Sequence, residues 1–182
     1  MPPKVKVTKE MILKAAFVII REYGHEHLSV RSIAERLGCS TQPVLYSFRS
    51  IDEIREAVYE LTDNYHTKFI LSEGKEDNPL LVLGLNYVRF GHDERNLFRF
   101  LFQSDKFAGK DMYSLLSDPQ LSEVMKVVSD ELKVNKAKAR SIFLSLFVAA
   151  HGLASLLANN AMAYDRQQCK KILESVFTGA MI

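Results

Sequence analysis

Residues 29–48 read SVRSIAERLGCSTQPVLYSF, and their spacing decides the fold of the first part of the chain. Val30, Ile33, Ala34 and Leu37 fall at i, i+3, i+4 and i+7, which draws one apolar stripe along a short helix. Gly38 stands where a left-handed cap closes such a helix. Ser40 then suits the N-cap of a second helix carrying Val44 and Phe48 at i, i+4. Two short helices sharing one small core across a tight glycine turn make a helix-turn-helix, the geometry that lays its second helix in the major groove of DNA. A purely structural corner of an all-helical protein would show the same spacing.

The outward face of the second helix follows from about 100° of rotation per residue. With Val44 and Phe48 inward, Gln42 and Tyr46 point most directly away, flanked by Pro43, Leu45, Ser47 and Arg49, with Thr41 opening the helix. Gln42 suits a bidentate pair with adenine, Tyr46 a phosphate oxygen or a thymine methyl, and Arg49 the backbone charge. Pro43 lies in the first turn, where a missing N–H costs little. Ser29 and Arg31, at the start of the preceding helix, are expected to fix the head on the phosphate backbone. Those nine residues are the expected DNA-binding set.

At 182 residues the chain can hold one large or two small domains with a real core. The net charge of +2 hides an asymmetry: residues 1–50 carry eight Lys/Arg against four Asp/Glu, and residues 51–182 carry sixteen against eighteen. The basic excess therefore lies with the helix-turn-helix, which suits binding to double-stranded DNA. Cys39 and Cys169 match no metal spacing and no CxxC motif, so a reducing cytoplasm is the expected location, with Cys39 a small half-buried hydrophobe. His25 and His27 stand two apart with no further ligand nearby and read as loop residues; no metal or cofactor is expected. The longest apolar run near the N-terminus, residues 15–20, is too short for a signal segment, and no export is expected.

Along the chain, residues 1–7 read as a loose basic arm. Thr8 caps a first helix with Ile12, Ala16, Ile19 and Tyr23 as its stripe, and Gly24 stops it. A long connecting helix runs over about 51–72, with Ile54, Val58, Leu61, Tyr65 and Phe69 in period, before the polar linker 73–78. Helices follow over 80–91 and about 94–104, rich in aromatics (Tyr87, Phe90, Phe98, Phe100, Phe102, Phe107), then over 108–116 and, capped by Asp118, over 119–132. Residues 141–164 carry no charge at all. A membrane span would fit that length, but His151, the serines, Asn159-Asn160 and the small residues Ala149, Ala150, Gly152 and Ala154 favour a buried bundle helix at a subunit interface. A last helix over 166–179 carries Cys169, Ile172, Val176 and Ala180 in register. The fold class is all-α, about nine helices, with a three-helix helix-turn-helix domain at 1–50 and a C-terminal helical bundle domain at 51–182 that begins with the long connecting helix.

The run from Thr8 to about Ile54 resembles the N-terminal domain of the TetR/AcrR (tetracycline-repressor) family of bacterial transcription regulators. The matching residues are Tyr23-Gly24, Leu28 to Ala34, Leu37-Gly38-Cys39-Ser40, and Phe48 with Ser50. The chain departs from the family at Leu45, where a phosphate-binding tyrosine is usual and here falls at Tyr46, and at Ile51, where a lysine is usual. Asn86 to Phe90, Asn96 to Phe102, and Ala150-His151-Gly152-Leu153-Ala154 resemble relatives with a Trp-His-Gly signature, alanine replacing the tryptophan. The resemblance implies a homodimer through the last two helices and a small-molecule effector inside the C-terminal domain. With the aromatic density at 79–107, it makes Phe98, Phe102, Phe147 and His151 the expected lining of an apolar cavity for an apolar or aromatic effector. His151 also reads as a core histidine hydrogen-bonded between two helices. The expected function is a ligand-responsive repressor that binds a palindromic operator as a dimer. No phosphate loop, nucleophile elbow or HExxH motif supports an enzyme. The alternative is a helical interaction module whose corner does not bind DNA.

Overall fold

The computed structural model describes residues 7–103, 129–130, 132–159 and 163–182. Among these there are eight α-helices, one 3-10 turn and no strand. They are α1 (Lys9–Tyr23), the turn His25–His27, α2 (Val30–Arg36), α3 (Thr41–Ser47), α4 (Ile51–Ile70), α5 (Pro79–Asp93), α6 (Arg95–Phe102), α7 (Lys136–Ala158) and α8 (Arg166–Met181). The arm over 1–6, the helix expected over 108–116, Phe107, the Asp118 cap and most of 119–132 lie outside the described residues. Packing groups the chain into two compact units, Met1–Lys68 with Glu94–Ser104, and Phe69–Asp93 with Asp105–Ile182. These units follow contacts and do not divide at 50/51.

In the first unit, Thr8 caps α1 by accepting from the Met11 N–H at 3.2 Å. The buried stripe of α1 is Ile12, Ala15, Ala16, Ile19 and Ile20. Tyr23, expected to end that stripe, is exposed and its ring lies against His27 instead. In α4 the buried line is Ile54, Val58, Thr62 and His66, a strict four-residue step, so Leu61 turns outward and Tyr65 and Phe69 are only half-buried. Thr62 can join an apolar face because its hydroxyl donates to the Val58 carbonyl at 2.7 Å, leaving its methyl for packing.

His66 carries a consequence for pH. Burial lowers its pKa to about 4, beside the Phe102 ring at 5.2 Å. The folded state therefore takes up its proton at lower pH than the unfolded chain does, so stability is full above the ordinary histidine range and falls as pH drops from about 6.5 toward 4. The slope from this group approaches about 1.4 kcal/mol per pH unit. Urea titrations at several pH values should show that slope, and His66→Leu should flatten it; an unchanged slope would place the acid sensitivity elsewhere.

In the second unit, Asn78 Oδ1 accepts from the Leu80 N–H at 2.9 Å, and Pro79 takes the first position of α5. Helix α7 is long and apolar enough to cross a membrane by length and composition, but nearly half of that stretch is buried within the protein, against α5 and α8. The small residues expected at a subunit interface partly serve this internal packing. A Cβ on Gly91 would come within 2.7 Å of Ala154, so Gly91 and the fully buried Ala154 let α5 and α7 cross closely. Beyond the exposed Lys136, Ala137 and Arg140 of its first turns, α7 leaves Ser141, Val148, Gly152 and Leu156 outward, with Asn159 at its C-cap. Helix α8 buries Cys169 and Leu173, with Leu173 seated over Gly84; the expected Ile172 is exposed. Seating in that glycine notch puts Leu173 rather than Ile172 next to Cys169 in the buried line.

Candidate nucleic-acid interface

The helix-turn-helix is built by its caps. Ser29 Oγ accepts from the Ser32 N–H at 3.0 Å while Ser32 Oγ accepts from the Ser29 N–H, a reciprocal box that starts α2. Gly38, at φ +64°, ends it: the Cys39 N–H reaches the Ala34 carbonyl at 3.0 Å and the Gly38 N–H reaches Glu35 at 3.1 Å. That pair of bonds is a Schellman closure, and it turns the chain sharply into α3. Ser40 occupies the N-cap position of α3, but its side chain makes no capping bond. Val44 and Phe48 are buried against the head, and Lys9 lies over the Phe48 ring at 5.1 Å.

With those two residues inward, the other face of α3 is open. Tyr46 is 81% exposed and Leu45 50%; Thr41, Gln42 and Arg49 are exposed, and Pro43 and Ser47 half-buried. Gln42 Nε2 donates to the Tyr46 hydroxyl at 3.1 Å, one turn apart, so the two most outward side chains form a single polar pair. Its signal in the sequence was the i, i+4 spacing of two hydrogen-bonding residues on the uncovered face. The Arg49 N–H is held by Glu53 Oε2 at 2.7 Å and Ser50 Oγ accepts from the Glu53 N–H, so α4 starts at a fixed place after α3. No ion pair among the described residues includes the exposed Arg49 guanidinium.

The two backbone candidates on α2 are already engaged. The Ser29 hydroxyl belongs to its cap, and Arg31 Nε donates to Glu35 Oε1 at 2.9 Å across one turn. Both ends of the Arg31–Glu35 pair are exposed, so it is worth under about 1 kcal/mol and can be exchanged for a phosphate. Glu35 was not singled out in the sequence, although Arg-x-x-x-Glu on a helix is the spacing of such a pair.

The four expected lining residues fall in two groups. Phe98 is fully buried in the first unit, with the Phe102 ring 4.9 Å away. Phe147 and His151 lie in the second unit, both against Tyr87, whose ring is 5.8 Å from Phe147 and whose hydroxyl is 2.9 Å from His151 Nδ1. That bond joins α5 to α7, and burial lowers the His151 pKa, favouring the neutral imidazole. Phe143 stacks on Phe147 at 6.4 Å, extending the aromatic wall. Tyr87 is the member of this group that was read from sequence only as one aromatic among several.

Residues 12–58 match the model of bacterial regulatory proteins of the tetR family. No match was found among curated proteins. Among solved structures, a TetR-like transcriptional regulator from Rhodococcus sp. RHA1 is similar at 18% identity over 98% of this chain and 96% of its own, with a TM-score of 0.65. A protein from Vibrio parahaemolyticus described as a TetR-family transcriptional regulator is similar at 16% identity over 93% and 96%, with a TM-score of 0.64. At these identities the likeness is one of fold, extending over nearly the whole chain, while the match at 12–58 covers the helix-turn-helix itself. By its match over residues 12–58 the head is that of bacterial regulatory proteins of the tetR family, which makes the chain a DNA-binding transcriptional regulator.

Proposed function

We propose that the protein is a homodimeric, cytoplasmic repressor that holds a palindromic operator and releases it when a small apolar or aromatic effector enters the part beyond the head. In this reading residues 1–50 read DNA and residues 51–182 sense and dimerise. The observation that carries it is the open face of α3, with the Gln42–Tyr46 pair at its centre and the free Arg49 guanidinium at its end. Dimerisation is supported by the uncharged outward stripe of α7 from Ser141 to Asn159 and by the exposed Ile172 of α8. Tyr87, Phe147 and His151 support an aromatic wall for the effector with one polar anchor.

Selecting duplexes from a random pool with the purified chain tests the reading. Inverted repeats are expected, because two-fold symmetry of the protein is mirrored in the site; a single asymmetric motif would overturn the dimeric mode. On the selected duplex, Gln42→Ala should cost about 1–3 kcal/mol at one symmetric pair of positions and little elsewhere. Arg31→Ala should weaken all sequences alike and lower the salt slope by about one. Uniform losses from both would move the reading face to other residues. For the effector, apolar and aromatic compounds are scored for release of the complex; release that survives both Tyr87→Phe and Phe147→Ala would move the sensor elsewhere.

A further inference from the structure

A cavity of about 330 Å³ opens in the second unit between the polar segment after α4, the α5 face carrying Leu85 and Arg89, and the start of α8. None of Tyr87, Phe147 and His151 lines it. Its charges are not balanced in the usual way. Arg166 is bound to Glu76, whose side chain is only 6% exposed, and Lys170 lies 3.9 Å from the same carboxylate. Glu76 is thereby committed, and the Arg166 hydrogen bond holds its carboxyl below the usual range. Arg89 has no such partner. Its guanidinium lies over the Phe69 ring at 4.7 Å, its buried Nε has no hydrogen-bond acceptor, and no ion pair among the described residues includes it.

We propose that this cavity binds a small organic monocarboxylate, with the Arg89 guanidinium taking the carboxylate. A half-buried cation that has lost part of its hydration and gained only an aromatic face is missing an anion. A guanidinium over a ring still presents its planar fork, and a carboxylate is the small anion that matches it with two parallel bonds. A single charge is favoured over a dianion because the carboxylates of Glu73 and Glu76 line the same cavity, leaving Arg89 and the rim Lys75 as its uncommitted cations. Leu85 and the Tyr164 ring supply apolar wall for a short aliphatic or aromatic body. The Asn86 amide is already spent on the Ile70 and Ser72 carbonyls at 3.2 and 2.8 Å, so Arg89 dominates the polar pull.

The test uses the full chain without DNA, so it stands apart from the operator and effector reading and fails independently of it. Sodium benzoate and sodium hexanoate are titrated calorimetrically beside benzamide and hexanamide, which keep the shape and lose the charge. At least one acid should bind saturably and at least about tenfold more tightly than its amide, the scale of a charge-assisted hydrogen bond. Arg89→Gln should bring the acid to the level of the amide while circular dichroism stays native. If that variant does not fold, the wild type decides: the Arg89 Nε–H resonance should move with the acid and not with the amide. Equal binding of acid and amide, no saturable binding of either acid, or a stationary Arg89 resonance would overturn the proposal.

Discussion

Leu156→Arg is expected to leave the chain folded and monomeric, with operator affinity down about a hundredfold or more. Leu156 and Val148 are each 48% exposed in the single chain and stand eight residues apart on α7, so they share the face that also carries Ser141, Gly152 and Asn159. From Ser141 to Asn159 that face holds no charge, and α8 exposes the apolar Ile172. Two such faces brought together by a two-fold axis would bury Leu156 against apolar or small neighbours. A guanidinium placed there must be desolvated without a partner, which costs several kcal/mol and exceeds what one half-exposed leucine contributes. Loss of the dimer separates the two reading heads, and the advantage of holding both half-sites, about a hundredfold or more, goes with it. The choice of residue matters: Arg at Ala154 would be driven into the Gly91 backbone and would unfold the unit rather than split a dimer. Sedimentation velocity with a matched unfolding curve separates the two outcomes, and a Leu156→Arg protein that still sediments as a dimer would place the interface elsewhere.

Where apolar residues kept a helical period and the turn chemistry was unambiguous, the structure follows the sequence closely. Thr8, Gly24 and Gly38 mark the ends of α1 and α2 because each acts through its own backbone or its nearest turn, whereas Ser40, read the same way for α3, makes no capping bond. The outward face of α3 was legible for the same reason: Val44 and Phe48 fix its rotation, and the remaining residues follow. Legibility failed where a partner distant in sequence chose the rotation. Leu173 displaces Ile172 from the core of α8 because Gly84, eighty-nine positions earlier, leaves room for it. Thr62 and His66 displace Leu61 and Tyr65 because an internal hydrogen bond and a neutral imidazole make polar residues tolerable inside. The uncharged stretch at 141–164 reads as a buried bundle helix at a subunit interface, and its described residues divide between an inner face holding Ala150 and Ala154 and an outer one holding Val148 and Leu156. Absence of charge marks both faces alike, so composition could not separate them. The Arg89 cavity had no sequence signal, since an arginine on an aromatic-rich helix does not reveal that its counter-ion is missing.

Glu94 lies in the gap between two helices, where no periodicity points to it, and breaking its ion pair with Arg21 is expected to cost about 2–3 kcal/mol, more from the arginine side. It is 5% exposed, accepts from Arg21 Nε at 2.7 Å and from Arg21 Nη2, and takes the Tyr65 hydroxyl at 2.8 Å. Its own carbonyl accepts from the Phe98 N–H at 2.9 Å, so the same residue starts α6. One carboxylate thereby ties α1, α4 and α6 together, and Asn96 adds a bond from its amide to the Arg21 carbonyl at 3.0 Å. The two ends of the ion pair differ, because the Arg21 side chain is half exposed while that of Glu94 is not. Glu94→Leu strands a guanidinium that can turn to water and takes one acceptor from the Tyr65 hydroxyl, costing about 2 kcal/mol. Arg21→Met strands the buried carboxylate, which has no such escape, and should cost more, about 3 kcal/mol, or roughly 10 °C in a chain of this size. The asymmetry is the test. If Arg21→Met and Glu94→Leu are combined, each should lose most of its separate cost, because no unpaired charge remains inside; denaturant unfolding of the four proteins measures the coupling directly. Additive losses, or single losses within about 0.5 kcal/mol of zero, would mean that the pair behaves as a surface contact and that α1 and α6 are held by their apolar packing alone.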